Sequence, residues 1–493
     1  MTASRQLSPD PSSAHDLFKY TSGRWVYNEH KRFVERERAF NVAELQRLAA
    51  AAVGRKVEGI LSIHKLGEGA ANRAFVIQFR DDFKLVARIP YSITEPRQQE
   101  IASEAATMAF LRSKGIPVPE IYGYSASEDN PAQTEYIFME FSPGRNLGIL
   151  RADMNEHHPL RFVKSLVALE SRLFNLHLPA SGSLYFLRDL TTASAKVPVT
   201  SGECGSSASF CTGPSTSLPF WFGRRNQLDV YRGPYTEAEA VLNAGAEKEI
   251  QYLKQYGRPL FPFDRMRRET FNLEKQLPEV HLDSLQKYLQ ISSNLIPQGS
   301  KGLIRPVIRH PDLRPSNIFV SDEYEITSLI DWQNATALPL FLHSGIPDDL
   351  DNSLDPVSTS LETPRLPDDL SALSEERRSE LLAIFEKRHL RYFYMTETSK
   401  INPTHYETLT FPFSIGRRKI YELEREAAEQ LKDSMEMLGL GPEGWISSDN
   451  YEAAKEAIAR MKEMCLEQAE TESDRIAIRD HWVYDDMDED EYL

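Results

Sequence analysis

Four polar residues stand out by type and spacing. In "HPDLRPSNIFV", His310, Asp312 and Asn317 occupy a polar stretch that leads into an apolar strand, and in "EITSLIDWQ" Asp331 leaves a second one. Carboxylates and a carboxamide oxygen are natural ligands for a hard cation such as magnesium. A carboxylate in reach of a hydroxyl can also accept or orient its proton. Phosphoryl transfer needs these parts and little covalent chemistry from the protein. A hairpin between the two strands would bring Asp312, Asn317 and Asp331 together.

The elements that would hold them can be read along the chain. "ILSIHKLGEGAANRAFVIQFRDDFKLVARIPY" carries β-branched apolar runs around a glycine turn, and "FRDDFKLVARI" has the pattern of strand, turn and strand, so three antiparallel strands are expected. Before them, "NVAELQRLAAAAVG" reads as a helix capped by Asn41, with Glu44 closing a capping box and Gly54 as the stop. After them, Ile101, Met108 and Leu111 lie near helical spacing, Gly115 and Pro117 end that helix, and "EYIFMEFSPGRNLG" reads as a buried strand entering a loop. Further on, "SGECGSSASFCTGPSTS" reads as a loop, "HLDSLQKYLQISSNL" as an amphipathic helix, and residues 376–470 as helical again. The division is a disordered arm over 1–15, a first lobe over 16–144, a second, mainly helical lobe over 145–475, and an acidic tail over 476–493, expected to be solvated and mobile.

Composition narrows the class. Of 493 residues, 41% are apolar and 26% charged, as in ordinary globular proteins. A formal net charge of -16 argues against non-specific binding to nucleic acid or to an anionic membrane surface. Three cysteines are too few for a disulfide framework, and no apolar run approaches a membrane span. The expected compartment is intracellular: the cytoplasm, with the mitochondrion as alternative. Trp221 and Trp332 read as core or cleft-wall packing.

The pattern HxDxxxxN followed by the aspartate of "DWQ" resembles the catalytic loop and metal-binding aspartate of the aminoglycoside phosphotransferase and choline kinase branch of the protein-kinase-like fold. Through "GRW", "LDVYRGPY" and "DWQNATALPLFLHSGIP" it is most similar to fungal phosphotransferase-family proteins like altered inheritance of mitochondria protein 9. The resemblance spans most of residues 60–345. It implies a bilobal α+β fold, with a small antiparallel β N-lobe and a larger helical C-lobe, using ATP and Mg2+. It implies that His310 structures the loop, Asp312 positions the acceptor hydroxyl, and Asn317 and Asp331 bind metal. "LGEGAANRAFVI" is similar to the glycine-rich phosphate loop, with Gly67, Gly69 and Asn72 at its bend. Arg88 stands where the family has a phosphate-binding lysine, Glu104 is its partner, and "FMEFSPG" resembles the adenine hinge, with Met139 preceding it and Glu140 and Phe141 offering backbone groups.

The chain departs from the pattern at Arg88, a planar fork in place of a compact ammonium, and at Pro311, Arg314 and "DWQ". The function implied is phosphorylation of a hydroxyl on a small molecule whose identity the sequence does not spell out. The alternative is a pseudokinase or nucleotide-binding regulator. A protein kinase is disfavoured, because "DFG" and "APE" are missing and a long helical insert is present. The oligomeric state is not encoded in any readable motif.

Overall fold

A computed structural model describes residues 16–150, 158–199, 209–263, 265–352, 355–411, 435 and 438–492. The arm expected over 1–15 lies outside the described residues. After β1 (Arg24–Trp25), α1 (Glu29–Arg36) and α2 (Val42–Ala52) come the strands β2 (Ile60–Glu68), β3 (Asn72–Phe79) and β4 (Lys84–Pro90), then α3 (Arg97–Ser113), β5 (Ile121–Ser125) and β6 (Tyr136–Glu140). β2 to β6 form one antiparallel sheet in the order β2-β3-β4-β6-β5. The expected three strands are its first half.

Local signals set the helix ends. The Asn41 side chain accepts from the Glu44 N–H at 3.1 Å, and Gly54, at φ +65°, follows α2. The other half of the expected capping box is not formed: the Asn41 N–H donates to the Ala132 carbonyl at 2.8 Å, and the Glu44 carboxylate accepts from Arg47 Nε at 2.8 Å. Gly115, at φ +74°, closes α3 as expected.

Alternation along β6 divides the core. Phe138 faces Phe75, Phe79 and α2, where Leu45 and Ala49 pack. Ile137 and Met139 join α3 through Ile101, Ala105 and Met108, in a core that continues into the second lobe at Leu173, Phe174, Ile318, Leu329 and Trp332. Full burial of each large apolar side chain contributes about 1.5–3 kcal/mol, so this shared core binds the lobes together.

The second lobe contains β7 (Arg145–Asn146), α4 (His158–Phe174), β8 (Ser183–Phe186), β9 (Val197–Pro198), β10 (Phe210–Gly213), α5 (Ala238–Tyr256), α6 (Pro278–Ile291), β11 (Ile318–Val320), β12 (Ile326–Leu329), α7 (Glu375–Ile401) and α8 (Pro403–Thr410). β11 pairs antiparallel with both β12 and β7. Within the Ser/Gly/Cys-rich stretch expected to be a loop, Phe210–Gly213 form the buried strand β10, which pairs with β8 and places Cys211 beside Tyr185 and Ala102 of α3, while Pro214 to Ser217 continue as loop.

The C-terminal residues depart most from expectation. β13 (Trp445–Ile446) pairs antiparallel with β1, Arg24 opposite Ile446 and Trp25 opposite Trp445. After it come α9 (Tyr451–Gln468) and α10 (Glu472–His481); Tyr451, Ala454, Ile458 and Tyr484 pack around Val26. The acidic stretch is not a solvated tail. Glu489 is buried against Arg32 at 2.5 Å, Asp490 pairs with Lys31 at 2.5 Å, and the Asn28 N–H donates to Asp486 at 2.5 Å. Two of its carboxylates, Glu489 and Asp490, pair with cations of α1, so these residues pack with the first lobe's N-terminal segment.

Candidate active site

The loop entering β11 is pinned by His310. Its Nε2 lies 2.8 Å from the Ile330 carbonyl, and its Nδ1 accepts from the Asp312 N–H at 3.1 Å. The ring is 5% exposed, and burial pushes its pKa below the ordinary value. A neutral imidazole carrying its proton on Nε2 satisfies both contacts, so His310 shapes the loop and has no nitrogen left for a substrate. Trp332, 0% exposed, packs edge-on against it at 4.6 Å between ring centroids and donates to the Leu329 carbonyl. Trp221 donates to the Ser215 carbonyl and lies under Arg232. Both tryptophans are thus packing residues.

Asn317 donates to the Asp312 carbonyl at 2.9 Å and to its carboxylate at 3.3 Å. The Asp312 side chain is 39% exposed and pairs with Arg314 at 2.6 Å. Across the hairpin, Ile318 faces Leu329 and the Ile330 N–H donates to the Asn317 carbonyl at 3.0 Å, which places Asn317 and Asp331 at neighbouring ends of β11 and β12. Asp331 has φ +67°, a left-handed conformation that costs a non-glycine residue on the order of 1–3 kcal/mol. Such strain persists where surrounding structure over-determines it, here buried Trp332 and the β12 strand.

Arg88 connects the lobes. From β4 it donates through Nη1 to Glu104 of α3, and through Nη2 to Asp331 at 2.7 Å and to Gln333 at 2.8 Å. The Asn72 carboxamide lies 3.0 Å from Gln333, and with its amide turned over it accepts from Arg88 Nη2 at 2.7 Å. Burial works to raise the Asp331 pKa, but Arg88 outweighs it and holds the carboxyl below its usual value. Burial pushes Glu104 up to about 7 against the pull of Arg88. Glu100, one turn earlier on α3, is pushed well above the carboxylate range by burial and then by Glu104. One guanidinium therefore faces a surplus of acid.

The remaining expected residues lie at the cleft's edges. The Gly69 N–H donates to the Asn72 carbonyl at 2.9 Å and closes the turn, while a Cβ on Gly67 would meet nothing within 4 Å. Met139 is buried opposite Val86. The Glu140 carboxylate pairs with Arg112 at 2.9 Å and its N–H donates to the Glu120 carbonyl at 2.8 Å, so Glu140 has only its backbone carbonyl to offer an adenine. Phe141 is exposed beside Lys84. Sequence reasoning missed Gln333 and Glu100. Gln333 was visible as the polar residue after "DW", whereas Glu100 had only its helical spacing from Glu104 to mark it.

Residues 62–207 match the model of the phosphotransferase enzyme family. A subtelomeric hrmA-associated cluster protein of Aspergillus fumigatus is 28% identical over 87% of this chain and 97% of its own length. Altered inheritance of mitochondria protein 9, mitochondrial, of Yarrowia lipolytica is 26% identical over 67% of this chain and 60% of its own. Among solved structures, an ethanolamine kinase of Plasmodium vivax aligns at a TM-score of 0.31 and 12% identity, covering 72% of this chain and 82% of that one. The glycine turn, Arg88, Glu104 and the strand before the hinge all fall inside residues 62–207, the part of the chain that is similar to the phosphotransferase enzyme family.

Proposed function

We propose that the protein is an ATP- and magnesium-dependent phosphotransferase that acts on a hydroxyl of a small molecule. The contact of Arg88 with Asp331 at 2.7 Å, with Glu104 behind it, carries this reading, because parts suited to phosphate and metal arrive from separate stretches of chain at one point. The donor set fits magnesium, which takes one or two carboxylates and keeps water and phosphate oxygens for the rest. Among the described residues no group of three or more His, Cys, Asp or Glu is placed to hold a metal ion, as expected where phosphate oxygens complete the shell. Asp331 and the Asn317 carboxamide oxygen would hold the ion, which when bound neutralises phosphate charge.

The chain's own residues do the rest. Asp312, tied by Asn317 and open to solvent, accepts and orients the acceptor's hydroxyl proton. Arg88 presents positive charge to the phosphates, and the turn of Gly67, Gly69 and Asn72 allows close approach. Met139, the Glu140 carbonyl and Phe141 border the adenine side. Calorimetry of ATP with and without magnesium, followed by label transfer to a panel of hydroxyl-bearing metabolites, tests the proposal. Magnesium-dependent ATP binding with transfer to one panel member is the expected result; a folded protein that binds no nucleotide overturns it.

One observation favours the alternative, a nucleotide-binding regulator: Arg88 occupies an oxygen of the proposed metal ligand Asp331. Nucleotide binding that ignores magnesium and gives no turnover would select it. No helix among the described residues is long and apolar enough to cross a membrane. Because several relatives are named as mitochondrial, we take the mitochondrion and the cytoplasm as the two compartments to separate by imaging.

A further inference from the structure

The glycine turn between β2 and β3 is closed by a buried pair. Glu68 and Arg73 are cross-strand partners, with Arg73 Nε 2.8 Å from Glu68 Oε1 and the two side chains 1% and 2% exposed. Both reach past the sheet. Glu68 accepts from the Thr21 N–H at 2.8 Å and the Ser22 hydroxyl at 2.7 Å, while Arg73 donates to the Leu17 carbonyl at 2.6 Å and the Arg36 carbonyl at 3.3 Å. Lys65, at 3.0 Å from Glu68, donates to the Lys19 carbonyl at 2.7 Å. The turn is thus rooted in residues 17–36.

That segment is in turn held by residues far along the chain. β1 pairs with β13, the Val26 N–H donates to the Gly444 carbonyl at 3.0 Å, and Arg36 meets Glu443 at 3.1 Å. Arg32 meets Glu489, 457 residues away. A chain of buried charge and backbone bonds runs without a gap from the acidic C-terminal stretch to the glycine turn.

Resting on the proposed nucleotide site, we infer that Glu68 is a positioning residue: it fixes the phosphate-facing turn to the N-terminal segment, and through that segment the C-terminal stretch sets nucleotide affinity. A hairpin turn held only by its own strands samples many conformations, and the bound one must be selected at a cost in affinity. Here buried contacts make that selection in advance.

Hydrogen exchange of residues 67–72 in the full chain without ligand tests the tether directly, and binding of a magnesium complex of a non-hydrolysable ATP analogue tests its effect. Glu68→Gln should speed exchange in the turn and weaken analogue binding by about tenfold, as expected for loss of charged hydrogen bonds, with KM for ATP rising while kcat holds. Glu489→Gln should speed exchange in the same turn by a smaller factor despite its distance. Unchanged exchange in folded Glu68→Gln protein overturns the inference; if that variant does not fold, Ser22→Ala, which removes one donor, decides in its place. A Glu489→Gln chain whose α1 exchanges faster while the turn does not removes the remote part. A wild-type chain that binds no nucleotide refutes the proposed function instead, and the exchange data still decide the tether.

Discussion

In the cleft, Arg88 alone faces Glu104 and Asp331, with Glu100 close behind; at the clasp between α1 and the C-terminal stretch, Lys31, Arg32 and Arg36 meet Glu35, Glu443, Glu489 and Asp490. Both networks use the same kinds of side chain, and both are largely buried. They differ in charge balance. The cleft sets one guanidinium against three carboxylates, of which Glu100 and Glu104 are fully buried, a surplus that protons or a further cation relieve; the clasp sets three cations against four carboxylates, of which Glu443 and Asp490 stand open to solvent. Residue type alone does not separate a site from a strut; the buried part of the leftover charge does.

The two aspartates beside the cleft test the claim most severely. Asp312→Ala should leave nucleotide affinity nearly intact and cut turnover by a factor on the order of 10² to 10⁴, while Asp331→Asn should weaken magnesium-nucleotide binding along with turnover. Calorimetry and label transfer on both variants give the comparison. Equal loss of binding in both would make Asp312 a metal ligand or a structural residue.

At the clasp the expected loss is in stability. Arg32→Met leaves Glu489 buried without its main partner, which should cost about 3–5 kcal/mol in denaturant unfolding. A variant that unfolds at the wild-type denaturant concentration would show that the buried Arg32–Glu489 pair does not hold the clasp.

The acid surplus also predicts a pH dependence. Glu104 rises on folding from 4.5 to about 7, so the folded chain binds that proton more tightly. The stability it contributes is fully present below 4.5 and is lost as pH rises toward about 7. Glu104→Gln should flatten this fall, though not abolish it, because Glu100 acts in the same direction. Thermal melting across that window checks it, and an unaltered profile would place the titration elsewhere. The smallest effect is expected at the edge: Glu140→Ala breaks a partly exposed pair with Arg112 and should change stability by no more than about 1 kcal/mol.

The legible parts of the molecule were those whose signals are local. His310, Asp312, Asn317 and Asp331 sit at fixed offsets beside apolar strands, and β2 to β4 alternate around turn residues, so spacing alone brought them into register. Arg88 and Glu104 were placed by resemblance, and the structure puts them in contact. What stayed hidden depends on distant partners. The stretch "DDMDEDEYL" reads as solvated because it is a run of like charge; Lys462 takes Asp485, but Arg32 and Lys31, which take Glu489 and Asp490, lie 457 and 459 residues away in the sequence. Phe210 and Cys211 were submerged in Ser/Gly-rich surroundings, although the strand they form is fully buried. Glu44 had the right position for a capping box, but the Asn41 N–H it would have accepted from is taken by the distant Ala132 carbonyl.

The pairing of β1 with β13 has a consequence for biosynthesis. Chains emerge from the ribosome from the N-terminus at about 5–20 residues per second, so residues 24–36 are exposed long before Trp445, Glu489 and their neighbours exist. The sheet of β2 to β6 can close on its own neighbours in the sequence, and Trp25 can pack on Tyr20, Phe33 and Tyr91, but Val26 waits for Tyr451, Ala454 and Ile458, and Arg32 waits for Glu489. During that interval the nascent protein displays β1 without its paired strand and Arg32 without Glu489, which is the form of this molecule that a chaperone would meet.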